Sequence, residues 1–261
     1  MQTVKHPFSG LKDKMNQKLS LFTRRLSQFV SLSALLAIPL FINVAAARAA
    51  DASSGSPQKA AGDLAPLPLN LPPAGYEGTP KDMPPDTTAE KPTGKPRPPF
   101  YAPKGVQNVA LGKPVTSSDP SPISGDLKQI TDGKKHAFDE NVVTLRRRTQ
   151  WVQIDLQGEY NIYAILIWHE HKTPVVYRDV IVQVSEDPEF KHDVHALFNN
   201  DQDNSSGLGA GTDREYFENH EGKLIDAKGT KARYVRCYSK GNTDYALNSY
   251  TEIEVYAVPA Q

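Results

Sequence analysis

Gln150-Trp151-Val152-Gln153-Ile154-Asp155-Leu156 alternates apolar and polar side chains. A few residues on, Asn161-Ile162-Tyr163-Ala164-Ile165-Leu166-Ile167-Trp168-His169 is almost continuously apolar. The first pattern sets Val152, Ile154 and Leu156 on one face and Trp151, Gln153 and Asp155 on the other, the period of a half-buried strand. The second reads as a strand covered on both faces. Working outward, residues 179–185 alternate Val180, Val182 and Val184 with Ile181 and Gln183, and residues 233–238 place Val235 and Cys237 on one face. Residues 249–258 set Ile253 and Val255 against Glu252, Glu254 and Tyr256. Gly, Asn, Asp and Pro fill the intervals, and no amphipathic helix longer than about two turns is visible. Short strands between turn residues predict one all-β domain over residues 105–261, a sandwich or barrel.

Upstream, the composition changes twice. Residues 1–50 run from a basic stretch ending near Arg25, through an apolar stretch from Phe29 to Val44, to Ala45-Ala46-Ala47-Arg48-Ala49-Ala50. That order is expected of a secretory signal peptide, cleaved after Ala47, Ala49 or Ala50, and it predicts export to the periplasm, cell surface or medium. Thr23-Arg24-Arg25 raises the twin-arginine route beside the general one, although Leu26-Ser27-Gln28 departs from its usual continuation. The alternative is an uncleaved membrane anchor, but the apolar run is roughly 16 residues, broken by Pro39 and Asn43, against the ~20 a spanning helix needs. Residues 51–104 then hold prolines from Pro57 to Pro103 with few β-branched residues between them. Neither helix nor sheet propagates through such a stretch, so a disordered, semi-extended spacer is expected. Lys95-Pro96-Arg97-Pro98-Pro99 also has the composition of a ligand for an aromatic-grooved peptide-binding domain.

The whole chain has 30 basic and 30 acidic residues, yet the leader contains Lys5, Lys12, Lys14, Lys18, Arg24, Arg25 and Arg48 against Asp13 alone. The remainder is therefore acidic, which argues against nucleic acid as a partner. One cysteine excludes an intramolecular disulfide framework and any zinc site built on several thiolates.

Several segments in order resemble the discoidin family, the coagulation-factor C-type domain. Asn108-Val109-Ala110-Leu111-Gly112-Lys113-Pro114-Val115-Thr116 resembles its opening strand, and Ile130-Thr131-Asp132-Gly133 its next motif. Residues 151–156 resemble its central strand, Ala232-Arg233-Tyr234-Val235-Arg236 a late one, and Thr251-Glu252-Ile253-Glu254-Val255-Tyr256 the closing one. The resemblance spans residues 105–258 and implies a galactose-binding-like jelly-roll β-sandwich with adjacent termini. It implies no catalysis, but binding of sugars, lipid head groups or proteins through loops at the far end. The long polar segment Phe198-Asn199-Asn200-Asp201-Gln202-Asp203-Asn204-Ser205-Ser206-Gly207-Leu208-Gly209 departs from a short family turn and is similar to a bacterial, exported subtype.

Candidate sites follow. His169 and His171, just past an apolar strand, with Tyr177, Arg178, Asn242, Tyr245 and Asn248 from other loops, compose a sugar pocket: polar side chains bond vicinal hydroxyls while an aromatic ring stacks on the C–H face. The same histidines could pair on a metal with a third ligand, though nothing there specifies hydrolysis. Asp201, Asp203 and Ser205 offer alternating oxygen donors for calcium, and a looser site would use Asp201, Asp203 and Asp213. An EF-hand is rejected because Ser206 and Thr212 stand where glycine and glutamate are needed; the alternative is a loop whose Asx side chains cap their own backbone. The resemblance implies a second, structural calcium at Asp132 and Glu252, with Lys134 where a further oxygen donor is usual. Arg146-Arg147-Arg148 reads as a solvated basic edge or an anion attractor. Trp151, Trp168 and Cys237 read as core. The function expected is an exported, non-catalytic carbohydrate-binding protein. The alternative is an adhesion or structural module docking an envelope protein, with membrane contact only through an uncleaved leader.

Overall fold

A computed structural model describes residues 63–261; the expected leader and the start of the proline-rich segment lie outside the described residues. The two stretches that open the sequence argument form a single strand, β6 (Gln150–His169), which pairs antiparallel with β9 (Lys223–Ser239) along nearly its whole length. The register breaks between Asp155 and Tyr160. A second shift, between Ile162 and Ala164, faces Lys228 (φ 54°) and Gly229 (φ 76°) on β9, while at the Asp155–Tyr160 break the backbone enters the left-handed region at Gln157 (φ 62°). This break lets the ribbon fold over so that its halves belong to different layers.

The first half of β6 pairs with β4 (Val115–Ser117), and the matching half of β9 pairs with β7 (Ile181–Ser185), which pairs with β8 (His195–Asn199). The second half of β6 pairs with β10 (Asn248–Pro259), which is flanked by β3 (Gln107–Asn108) and β5 (Val143–Leu145). Hydrogen bonding is continuous around the fold, but the side chains show two sheets. Val152, Ile154, Leu156, Val182, Val184, Val235 and Cys237 pack in one cluster with Ile165, Ile167, Tyr250, Ile253 and Val255. That interleaving is the core of a jelly-roll sandwich; each such aliphatic side chain contributes about 1.5–3 kcal/mol on burial. Helical structure among the described residues is confined to short 3-10 turns, Leu127–Thr131 and Asp139–Asn141.

The alternate side chains of β6, Ala164, Leu166 and Trp168, point out of that core into a second cluster with Tyr256, Leu67, Ala102 and Val106. Leu67 and Ala102 come from the segment expected to be a free spacer. That expectation is corrected for residues 63–104. Strands β1 (Leu64–Pro66) and β2 (Tyr101–Pro103) pair with each other, and the chain between them runs over the sandwich as a strap. Ala89 of the strap packs with Val176 and Phe217, the Tyr76 hydroxyl donates to Glu218 O (2.8 Å), and Arg97 donates to Glu221 and Gly222. Lys95-Pro96-Arg97-Pro98-Pro99 therefore has an intramolecular partner. The prolines do prevent helix, as expected. They also pre-set an extended backbone, which lowers the entropy lost when a few contacts hold the strap down.

Candidate functional site

At one end of the sandwich β3 lies beside the end of β10, with Asn108 opposite Tyr256. At the other end three connections meet. Val176 bridges Phe217, and Tyr177 bridges Asn242, joining the β6–β7, β8–β9 and β9–β10 loops. This is the end at which the sequence placed a sugar pocket, but the side chains divide into a buried knot and an open cleft.

His169, His171, Tyr177 and Asn248 belong to the knot. Strand β6 continues through His169, which pairs with Tyr250, so the alternation that makes Ile165 and Ile167 core also carries His169 inward. His169 Nδ1 lies 2.7 Å from Glu218 Oε1, and its ring stacks on Tyr177 with centroids 4.1 Å apart. His171 Nε2 donates to Lys135 O (3.0 Å), and burial lowers the pKa of its ring. Burial likewise raises the Tyr177 hydroxyl well above its ordinary value. Asn248 accepts from Ser239 Oγ and Gly241 N and donates to Arg146 O and Arg148 O, closing the base of the loop. All four are buried and face neighbours instead of solvent. Asn242 Oδ1 caps its own turn through the N–H groups of Asp244 and Tyr245, and the Tyr245 hydroxyl donates to Glu170.

Arg178 is the expected sugar ligand that lines the cleft, a cavity of about 400 Å³ shared with Asp179, Asn200, Gln202, Asp203, Ser205, Glu215 and Lys240. Asp86 and Thr88 of the strap form its remaining wall. Arg178 Nη1 donates to Glu215 Oε1 (2.6 Å), and the guanidinium also reaches the carbonyls of Pro85 and Asp86. The other Glu215 oxygen accepts from Thr87 Oγ1 (2.7 Å) and Thr88 N (2.9 Å). Lys240 Nζ stands 3.3 Å from Asp179 Oδ2. Asn200 Oδ1 holds Val180 N (2.6 Å), leaving its Nδ2 without a partner within the protein. Sequence reasoning missed Asp179, Asn200, Glu215 and Lys240 because each is an ordinary polar loop residue until the strap and loops converge.

Asp201 and Asp203 do come together, with Asp179 instead of Asp213: one carboxylate oxygen from each lies within 4.8 Å of the others. Asp213 caps Asn199 N instead. Asp201 accepts from Ser205 N, Ser206 N and Ser206 Oγ, and Asp203 from Ser205 N. Hydrogen bonds from Ser205 hold the Asp203 carboxyl below its ordinary value. These are the bonds of a loop that caps itself.

At the other expected calcium position, both oxygens of Glu252 face Gly133 N at 3.1 Å. Burial, with Glu254 beside it, pushes the Glu252 carboxyl up to about 9. Asp132 accepts from Lys134 N, with Lys134 Nζ at 3.5 Å, and Glu254 pairs with the buried Lys135. A hard divalent cation needs several open, ionised oxygens. This corner instead has the chain's own ammonium groups at its carboxylates, Lys135 on Glu254 and Lys134 beside Asp132, and both Glu252 oxygens face Gly133 N, so its donor set does not fit calcium. Arg146 is drawn to the buried Asp119, while Arg147 and Arg148 are exposed.

No protein-family model matches the chain, and no curated protein matches it. Among solved structures, the chain is similar to a family 89 glycoside hydrolase from Clostridium perfringens, at 17% identity and a TM-score of 0.43 over 59% of this chain; it spans 15% of that enzyme's length. It is similar to the module CpGH89CBM32-4 of the same organism, solved with GlcNAc-alpha-1,4-galactose, at 17% identity and a TM-score of 0.43, covering 59% of this chain and 96% of that one. A fucose-binding module of Streptococcus pneumoniae gives 17% identity and a TM-score of 0.41, with 58% and 98% covered.

Proposed function

We propose that this chain is a non-catalytic carbohydrate-binding protein, exported through its basic-apolar leader, that binds sugar hydroxyls in the cleft beneath the strap. The observation that carries the reading is the convergence of Arg178, Lys240, Asp179, Asp203 and Glu215 with the unpartnered Asn200 amide in one cleft. Planar guanidinium, carboxylate and amide groups match the spacing of vicinal hydroxyls, and a guanidinium has more N–H groups than its partners here use. Cations and carboxylates stand side by side, which suits a polyhydroxyl ligand better than a phosphate group. The sequence resemblance to the discoidin family adds to this reading.

A glycan array followed by calorimetry on the full chain tests it. Saturable binding to one sugar class, lost in Arg178→Ala and weakened in Asn200→Ala, is the expected result. Absence of any saturable binding would overturn it and leave the protein-docking alternative, recognised by an envelope partner that stays bound in excess free sugar.

A further inference from the structure

Lys135 is buried down to its ammonium. Its side chain is 9% exposed and forms an ion pair with Glu254, whose side chain is 6% exposed. The ammonium also lies 5.0 Å from the centroid of the buried Trp168 ring, a cation–π contact strengthened by the loss of water. The second Glu254 oxygen accepts from the Tyr256 hydroxyl (3.0 Å), so both sides of the carboxylate are engaged. Two residues earlier on the same face of β10, Glu252 receives Gly133 N. The backbone carbonyl of Lys135 accepts from His171 Nε2. One residue thus ties the turn after Asp132 to β10 through its side chain, and to the loop of the candidate cleft through its backbone.

Lysine is almost never buried without an anion, because its hydrated ammonium is costly to strip of water. Here carboxylate and indole face repay that cost together. We propose that the Lys135 ammonium is the resident cation of this corner. It stands in for the divalent ion that the family resemblance implies at Asp132 and Glu252, and it fastens the 132–136 turn to β10 without any metal. A calcium ion on Glu252 would meet the like charge of that ammonium across a poorly solvated gap, an arrangement that repels. The inference is independent of whether a sugar is bound.

Two measurements on the full chain test it. The first is thermal unfolding in excess calcium chloride and in EDTA, for the wild type and Glu252→Gln. No calcium-dependent shift, or a shift of equal size in both proteins, places any calcium elsewhere and supports the proposal. A wild-type stabilisation that disappears in Glu252→Gln overturns it. The second is a double-mutant cycle of Lys135→Met and Glu254→Gln. Each single variant is expected to melt several degrees lower, because each leaves one member of the pair alone in the interior. The double variant should recover part of that loss. Additive losses, or a Lys135→Met variant that melts with the wild type, overturn the proposal. If Lys135→Met fails to fold, the calcium comparison still decides.

Discussion

Glu215→Ala probes strap and cleft together. Glu215 is buried and accepts from Arg178, from Thr87 Oγ1 and from Thr88 N, so two of its contacts hold the strap and the third holds the cleft's guanidinium. Hydrogen bonds to a charged acceptor contribute about 1.5–3 kcal/mol each, but the strap donors reach water once freed and recover part of that. Local opening of residues 85–90 should therefore become easier by about 2–4 kcal/mol, roughly 30- to 1,000-fold faster amide exchange where opening is local. Hydrogen exchange read at Thr88 and Ala89 is the assay. Glu215→Gln, which keeps the shape and one acceptor, should exchange at an intermediate rate, and sugar affinity should fall in the same order. By contrast Arg214→Ala, which breaks the exposed pair with Glu90, should change little, because such pairs contribute about 0–1 kcal/mol. If Glu215→Ala left exchange at Thr88 and Ala89 within about threefold of wild type, the strap would be held by something other than this carboxylate.

Further outcomes follow from the same packing. Glu218→Ala strands His169 Nδ1 in the core and should cost about 2–4 kcal/mol by denaturant unfolding, whereas Glu218→Gln should cost clearly less. Gly222 has φ 64°, and a Cβ there would lie 2.6 Å from the Trp168 ring; Gly222→Ala should cost at least ~1–2 kcal/mol and change tryptophan emission. Glu252 in the folded protein holds its proton up to about 9, far above an unfolded glutamate, so the folded state binds more protons. Its contribution to stability is complete below the unfolded value and fades as pH rises toward about 9, and a stability–pH curve for Glu252→Gln should be flatter over that window. Burial pushes the Cys237 thiol up, so a thiol reagent should modify it only as fast as the protein unfolds; labelling that outpaces unfolding would contradict the burial.

The strands were legible because a period of two leaves a mark in any segment with one buried face. Val152, Ile154 and Leu156 are where the alternation put them, and Cys237 is the small buried hydrophobe its neighbours implied. The continuous apolar run at residues 161–169 correctly announced two covered faces, though not what covers the second. The site was far less legible. His169 follows Ile165 and Ile167 in the same alternation, so the pattern that found the strand also contained the reason His169 is core. Its terminal position in the run concealed this. Asn242 capping its own turn and Asn248 closing the loop base are uses of asparagine that no spacing separates from ligand binding.

Local periodicity, turn chemistry and composition pointed to an all-β fold, sandwich or barrel, to a proline-rich stretch without helix before it and to an acidic body, because each depends on neighbours along the chain. Which residues share the cleft depended on contacts between segments far apart in sequence. Arg178 meets Glu215 and the strap carbonyls of Pro85 and Asp86, and Lys135 meets Glu254, across 37 to 119 residues of sequence, contacts that only the packed fold supplies. The energy of such polar pairs depends on the water excluded around them, and that exclusion belongs to the packed structure.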